Sequence, residues 1–151
     1  MAQQKEIIST VNNLIETLKD GQEGFRQAAD AVKDPNLKSL FGGYSQQRSR
    51  FANELQNQAR SFGESEPEKS SSAAGAMHRT WINLKSAITS GDDHAILAEC
   101  ERGEDSAVNE YKKAIEDDLS SPLRAIVSRQ YSEVKSAHDR IKSMRDIAEK
   151  S

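Results

Sequence analysis

Glu104 is the residue of this sequence whose chemistry most needs an explanation, because it interrupts an apolar helix face. In the stretch 92–118, apolar residues recur at spacings of three and four, which is typical of one face of an α-helix. These residues are Leu97, Cys100, Val108, Tyr111 and Ile115. An ionised carboxylate on a buried face costs several kcal/mol unless it is paired, protonated or bound to a metal. The pattern therefore predicts a buried partner for Glu104.

Polar residues interrupt the apolar face of each of the other predicted long helices as well. We predict that these residues form a core polar layer with Glu104. The layer consists of Gln22, Gln47, Arg50, Glu104, Lys135 and His138. A carboxylate and an imidazole suit iron, manganese or zinc, so one interpretation makes Glu104 and His138 metal ligands. The other is a network in which Arg50 or Lys135 neutralises Glu104, and such a layer fixes helix register without a ligand. We expect the network and no cofactor, with iron or manganese as the alternative.

The remaining candidates for chemistry give weaker signals. Cys100 is the only cysteine, which excludes an internal disulfide, fits a reducing compartment and predicts an inert core thiol. His78 shares a predicted short helix with Trp81, and we expect a structural role for the histidine and packing of the tryptophan on the bundle. Glu99, Glu101 and Asp105 are predicted to lie on the solvated face of their helix rather than to act as ligands. The sequence has no catalytic dyad or triad and no glycine-rich phosphate loop, so we expect a protein that is not an enzyme.

The elements that position these residues are predicted to be four long helices and a short one. Helix boundaries are expected at Asp34-Pro35 and at Ser120-Ser121-Pro122, because the residue before proline leaves helical geometry and serine caps a helix start. A helix of ~27 residues is about 40 Å long, and the 63–91 connection carries its own helix, so it can cross the bundle. The second and third long helices should then be parallel; a plain up-and-down bundle is the alternative. The long helices are predicted at about 4–33, 36–62, 92–118 and 121–149, and the crossover helix at about 73–89.

Composition and charge restrict the class of protein. Of 151 residues, 35% are hydrophobic and 30% charged, which suits one helical-bundle domain over residues 1–151. The net charge of −3 leaves no strong nucleic-acid footprint, and no apolar run approaches the ~20 residues of a membrane span. The N-terminal residues lack a signal-peptide pattern, so we expect a cytoplasmic protein. Because the apolar faces are narrow, we also expect a homodimer that covers residual apolar surface.

Several motifs occur together along the chain. They are DGQEGF (20–25), MHRTWINLK (77–85), SGDDHAIL (90–97), ERGEDSAVNEY (101–111) and AHDRIKSMRD (137–146). In these motifs, and from about Leu14 to Asp146, the chain resembles an uncharacterised bacterial family of ferritin-like four-helix-bundle proteins with a domain-of-unknown-function label. The resemblance implies a bacterial origin and an all-α, ferritin-like four-helix bundle. In that fold two antiparallel hairpins are joined by a long crossover that carries a short fifth helix.

The resemblance does not extend to the iron ligands found in ferritins and rubrerythrins. Those proteins bind two irons through a Glu from each of two helices and a Glu-x-x-His from each of the other two. The matching positions here hold, in helix order, Gln22; Gln47 and Arg50; Glu104; and Lys135 and His138. Two ligands of six remain and two cations have been introduced, which argues against di-iron oxidase and iron-storage chemistry.

Two hypotheses on function follow from these observations. The first is a non-enzymatic bundle that acts through association with an unknown protein partner, in stress-related or envelope-linked physiology. The second is a degenerate ferritin-like metalloprotein with metal-binding or redox activity, whose ligands are Glu104 and His138. The two differ in whether the polar layer holds a metal ion.

Overall fold

Helices account for nearly all of the described part of the chain. The computed structural model of the protein describes residues 2–61, 81, 83–116, 119 and 121–150, and these residues include no strand. Their helices are α1 (Ala2–Ala31), α2 (Pro35–Ser61), α3 (Leu84–Ser90), α4 (Asp93–Glu116) and α5 (Ser121–Lys150). The first part of the predicted crossover helix, with His78, lies outside the described residues. None of the described helices has the length and apolar content that a bilayer crossing needs.

Two core clusters, one toward each end of the bundle, define the order of the long helices. One cluster joins the first half of α1, the second halves of α2 and α4, and the first half of α5. The other joins the second half of α1, the first halves of α2 and α4, and the second half of α5. The helices α2 and α4 are therefore parallel, which confirms the crossover topology and excludes the up-and-down alternative. This is the ferritin-like fold.

The turn between α1 and α2 is fixed by the start of α4. Asp34 caps α2, because its Oδ1 accepts a hydrogen bond from the backbone N–H of Asn36 at 2.8 Å. The Asp93 carboxylate accepts hydrogen bonds from the backbone N–H groups of Lys33 and Asp34 at 2.9 and 3.0 Å. Asp92 caps α4 itself by accepting a hydrogen bond from the backbone N–H two residues later. Side chains of two adjacent residues thus hold three helix ends together.

Trp81 lies in a slot between α1 and α4 that two glycines make possible. A Cβ atom at Gly24 would lie 2.5 Å from Trp81 Cδ2, and one at Gly103 would lie 2.6 Å from Trp81 Cζ2. Both distances are too short for any other residue, so the ring packs directly on two helix backbones. Trp81 is 3% exposed, in agreement with the prediction that it packs on the bundle. At Gly42 and Gly43 of α2, by contrast, an added Cβ would have no neighbour within 4 Å.

We predict that Gly103→Ala destabilises the protein by about 1–3 kcal/mol, because the new methyl group overlaps the Trp81 ring. The matched control is Gly42→Ala, which meets open space and should gain up to about 1 kcal/mol from the better helix propensity of alanine. Urea unfolding followed by the fluorescence of the single tryptophan measures both changes. Equal stabilisation of the two variants would contradict the close packing of Trp81 on the backbone of Gly103.

Candidate functional site

A buried ion pair between α2 and α4 occupies the centre of the bundle. Arg48 Nη1 donates to Glu104 Oε1 at 2.5 Å, and Nη2 donates to Oε2 at 2.8 Å. Each side chain is 1% exposed. This two-bond arrangement matches the planar guanidinium to the carboxylate and is the strongest form of such a contact. Both oxygens of Glu104 are therefore engaged by one cation.

The surroundings of Arg48 complete its bonding and keep it charged. Its Nε donates to Gln47 Oε1 at 3.1 Å, and its guanidinium carbon lies 5.3 Å from the centroid of the Phe25 ring. Burial disfavours the cation, but the attraction and hydrogen bonds of Glu104 outweigh it and raise the pKa of Arg48 above its ordinary value. The aliphatic part of the side chain lies beside Gly21 on α1. The cation is thus held by contacts from three helices.

The cations expected to neutralise Glu104 lie elsewhere, and the expectation for Arg50 and Lys135 is wrong. Arg50 is exposed on α2. Lys135 is exposed on α5, where its Nζ donates to Asp139 Oδ2 at 3.0 Å. Two residues along an α-helix correspond to a rotation of about 200°, so Arg48 and Arg50 occupy nearly opposite faces of α2.

The two glutamines of the expected polar layer are half-buried rather than central. The backbone carbonyl of Gln22 accepts a hydrogen bond from Ser45 Oγ at 2.8 Å, which ties α1 to α2. The residues of α1 buried next to Gln22 include Gly21 and Gly24. Gln47 contributes only through its bond to Arg48. Of the expected layer, the structure brings Gln47 close to the buried pair and leaves Gln22 at the side.

His138 lies on the interface of α4 and α5 and not beside Glu104. Its Nε2 is 2.5 Å from Asp105 Oδ1, its Nδ1 is 3.1 Å from Asp139 Oδ1, and its side chain is 17% exposed. Burial disfavours the imidazolium, but the hydrogen bonds to the two carboxylates outweigh it and raise the pKa of His138 above its ordinary value. The predicted metal pair of Glu104 and His138 is therefore not assembled: one residue binds a guanidinium and the other binds carboxylates.

The residues present do not fit a two-iron centre of the ferritin type. Such a centre needs carboxylates and imidazoles from four helices, converging on two metal ions. Within the described ranges, no group of three or more His, Cys, Asp and Glu side chains is placed to hold a metal ion. Both oxygens of the one central carboxylate already accept hydrogen bonds from Arg48.

A second buried polar contact, absent from the sequence-based prediction, joins α2, α4 and α5. The Tyr111 hydroxyl donates to Gln130 Oε1 at 2.7 Å, and Gln130 Nε2 donates to Glu54 Oε1 at 2.8 Å. Gln130 is fully buried, and burial raises the pKa of Tyr111, which stays a neutral donor. The signal was available, because Gln130 stands three residues after Val127 and four before Val134 on one helix face.

Glu99 is also buried, contrary to the expectation that it is solvated. It accepts hydrogen bonds from the backbone N–H of Asn83 at 2.8 Å and from Arg102 Nη2 at 2.8 Å, and it is 4% exposed. It thereby attaches the residue before α3 to α4. The neighbouring Cys100 is fully buried, and burial raises the pKa of its thiol, which favours the unreactive protonated form.

We predict that Glu104→Leu and Arg48→Met each destabilise the protein by about 3–5 kcal/mol, because each leaves one buried charge unpaired. The double variant Arg48→Met with Glu104→Leu should recover most of that loss, since it removes both charges and keeps apolar volume. Urea unfolding of the four proteins gives the coupling energy as a double-mutant cycle. Strictly additive losses would mean that the two residues do not act as a pair.

We predict that NMR titration finds the pKa of His138 above its ordinary value of 6.5, and that Asp105→Asn lowers it. Since the folded pKa is raised, the stabilisation is complete below the unfolded pKa of about 6.5 and is lost as pH rises through the folded pKa. Asp146→Asn on the same helix is the matched control, because Asp146 bonds Lys142 and leaves His138 unaffected. A measured pKa of His138 at or below 6.5 would contradict the ion pair between His138 and Asp105.

Comparison with solved structures bears on the fold of this chain. A chain described as a Mycobacterium smegmatis Dps1 mutant superimposes with a TM-score of 0.74 at 14% sequence identity, over 95% of this chain and 97% of that one. At this identity the likeness concerns the fold alone, and it agrees with the ferritin-like helix order. No curated protein sequence matches this chain.

The family is shown by a sequence model rather than by the structural neighbour. The model described as "Domain of unknown function (DUF2383)" matches residues 6–117. The match begins in α1 and ends just after α4, so it includes both members of the buried ion pair. Because it extends over more than half of the 151 residues, this chain belongs to the DUF2383 family.

Proposed function

We propose that this protein is a non-enzymatic, ferritin-like helical bundle that acts through protein association. The observation that supports the proposal is the Arg48–Glu104 pair, in which a guanidinium binds both oxygens of the central carboxylate with 1% of each side chain exposed. In this interpretation the buried cation takes the place that a metal ion holds in ferritins and rubrerythrins. The centre of the bundle then contributes stability and register rather than chemistry.

Energetics favour the arginine over a metal at Glu104. A cation entering this site would have to displace Arg48 and leave its guanidinium buried without a counter-charge, which costs about 3–5 kcal/mol in comparable pairs. Among the described residues, no group of three or more His, Cys, Asp and Glu side chains is placed to hold a metal ion and so repay that cost. The iron or manganese alternative requires a rearranged core, whereas the ion pair needs none.

The surface of the described bundle indicates what kind of association to expect. Ile147 is the one large apolar side chain in the described ranges that is mostly exposed, at 64%. The described residues therefore expose no broad apolar surface of the kind that obligate dimers bury in their interfaces. We propose association through mixed polar and apolar surface, and a homodimer is its simplest form.

We predict that protein purified without chelators or an affinity tag contains iron and manganese well below one ion per chain. Its melting temperature should not change on addition of a strong chelator, because Glu104 is held by Arg48. Light scattering of the same sample at micromolar concentration should give twice the 16.7 kDa of one chain.

Each measurement has an outcome that overturns its own part of the proposal. A clear fall in melting temperature with chelator, reversed by a stoichiometric transition metal, would favour the metalloprotein alternative instead. A measured mass equal to one chain would exclude the homodimer, and the proposal would then be restricted to association with a different protein.

A further inference from the structure

The bundle has an open groove between the first half of α2 and the second half of α5. At the other end the same helices are joined, because Arg129 and Gln130 of α5 both bond Glu54 of α2. On the side of α1 and α4, Trp81 and α3 fill the interhelical space. Among the described residues nothing covers the opposite side, where the groove has a volume of about 720 Å³. Within the described ranges, one of the four sides of the bundle is thus left open over half its length.

The groove carries positive charge on a protein that is acidic overall. Arg50 from α2 and Arg140 from α5 both line it, and its lining includes no aspartate or glutamate. Within the described ranges neither guanidinium has a carboxylate partner, whereas the net charge of the whole chain is −3. A groove between α1 and α4 has the opposite balance of charge, since three carboxylates line it, from Glu16, Asp20 and Glu110, with one cation, Lys113. The α2–α5 groove is therefore a local site for negative charge.

Apolar side chains also line the groove, between Arg50 and the start of α2. Leu40 and Tyr44 are one helical turn apart on α2, Met144 faces them from α5, and all three are only partly buried. The groove extends from Asn36 to Arg50 along α2, which corresponds to about 21 Å at 1.5 Å per residue. Methionine adapts its shape to different partners, which suits a docking surface. The groove is long enough for about four turns of a helix.

Charge and shape together restrict the occupant. A second copy docked symmetrically on the same groove would bring four arginines together, which like-charge repulsion opposes. A compact ligand would leave most of the 21 Å span uncovered, whereas an amphipathic helix places apolar residues at spacings of three and four along its whole length. Acidic residues at its edges would reach Arg50 and Arg140 from opposite sides of the groove.

We infer that the α2–α5 groove binds an acidic amphipathic helix of a partner protein. The helix packs its apolar face on Leu40, Tyr44 and Met144 and pairs its carboxylates with Arg50 and Arg140. This assignment rests on the proposed function, because it names the partner chemistry of the association. It makes the bound helix a fifth long element beside α2 and α5, on the side of the bundle that α3 leaves open.

The test uses a displayed library of 14-residue peptides and the full-length chain. Leucine is fixed at positions 1, 5, 8 and 12 of the peptides to give one apolar helix face, and the other positions are random. Selection on the wild-type protein should enrich aspartate and glutamate beside the leucine face. The tightest selected peptide, fluorescently labelled, is then titrated with each protein variant.

The decisive comparison is between two double variants with the same change in charge. Arg50→Gln with Arg140→Gln alters the groove, while the control Arg60→Gln with Arg124→Gln alters exposed arginines on the same two helices outside it. We expect the groove variant to weaken peptide binding by at least about tenfold and the control to change it by less than about twofold. Circular dichroism should show that the peptide becomes helical on binding.

Several outcomes would overturn the inference. They are a selection without enrichment, enrichment of neutral or basic peptides, equal loss of binding in both double variants, or equal competition by unstructured polyglutamate. Competition by octanoate at concentrations comparable to the peptide would assign the groove to a small organic anion instead, and would also overturn it. None of these results alters the metal content or the chelator response of the protein, so the groove can fail while the proposed function stands.

Discussion

The constraint on which the rest of this structure depends is an ion pair that crosses the bundle. The helices α1 and α5 lie between α2 and α4, and each of the latter two contacts both of them. The helices α2 and α4 therefore face each other across the diagonal of the bundle. Arg48 spans that diagonal to reach Glu104. Sliding either helix by one turn, about 5.4 Å, would separate two desolvated charges, so the pair favours one register of α2 against α4.

A closed series of contacts attaches the crossover to the same level of the bundle. The Phe25 ring lies 5.3 Å from the guanidinium of Arg48 and 5.2 Å, edge-on, from the ring of Trp81. Trp81 in turn packs on Gly103, the residue before Glu104. The ion pair, an aromatic pair and a glycine therefore form one ring of contacts through α1, α2 and α4. A substitution at any of these residues should displace the others, because close-packed interiors transmit strain.

Sequence reasoning predicted the helices and their order more successfully than the partner of Glu104. Apolar periodicity and the length of the 63–91 connection were sufficient for the topology, since both are local properties of the chain. On α2, spacings of three and four allow the inward face to pass through either Gln47 or Arg48 between Tyr44 and Phe51. Only the packing of α2 against α1 decides between them, because adjacent positions differ by about 100° of rotation.

Comparison with the iron ligands of ferritins did not resolve whether Gln47 or Arg48 faces the core, and it selected the wrong cation. It led to Arg50, which stands three residues after Gln47 as His does in Glu-x-x-His, whereas the cation that reaches Glu104 follows Gln47 directly. The buried Glu99 was missed for a different reason. Its partners are the backbone of Asn83 and the side chain of Arg102, and the first of these is distant in sequence.

The buried pair also has a consequence for the surface. Well-packed apolar residues usually match or exceed the stability of such a pair, so its advantage lies in the geometry that it specifies. Arg48 fixes the position of α2 along the bundle axis, and Arg50 lies only two residues further on. Gln47 links the two regions, because it lines the α2–α5 groove and also accepts a hydrogen bond from Arg48. The buried pair therefore contributes to the position of Arg50 along the groove. In this way the buried pair helps to place a charge that the proposed partner helix would meet.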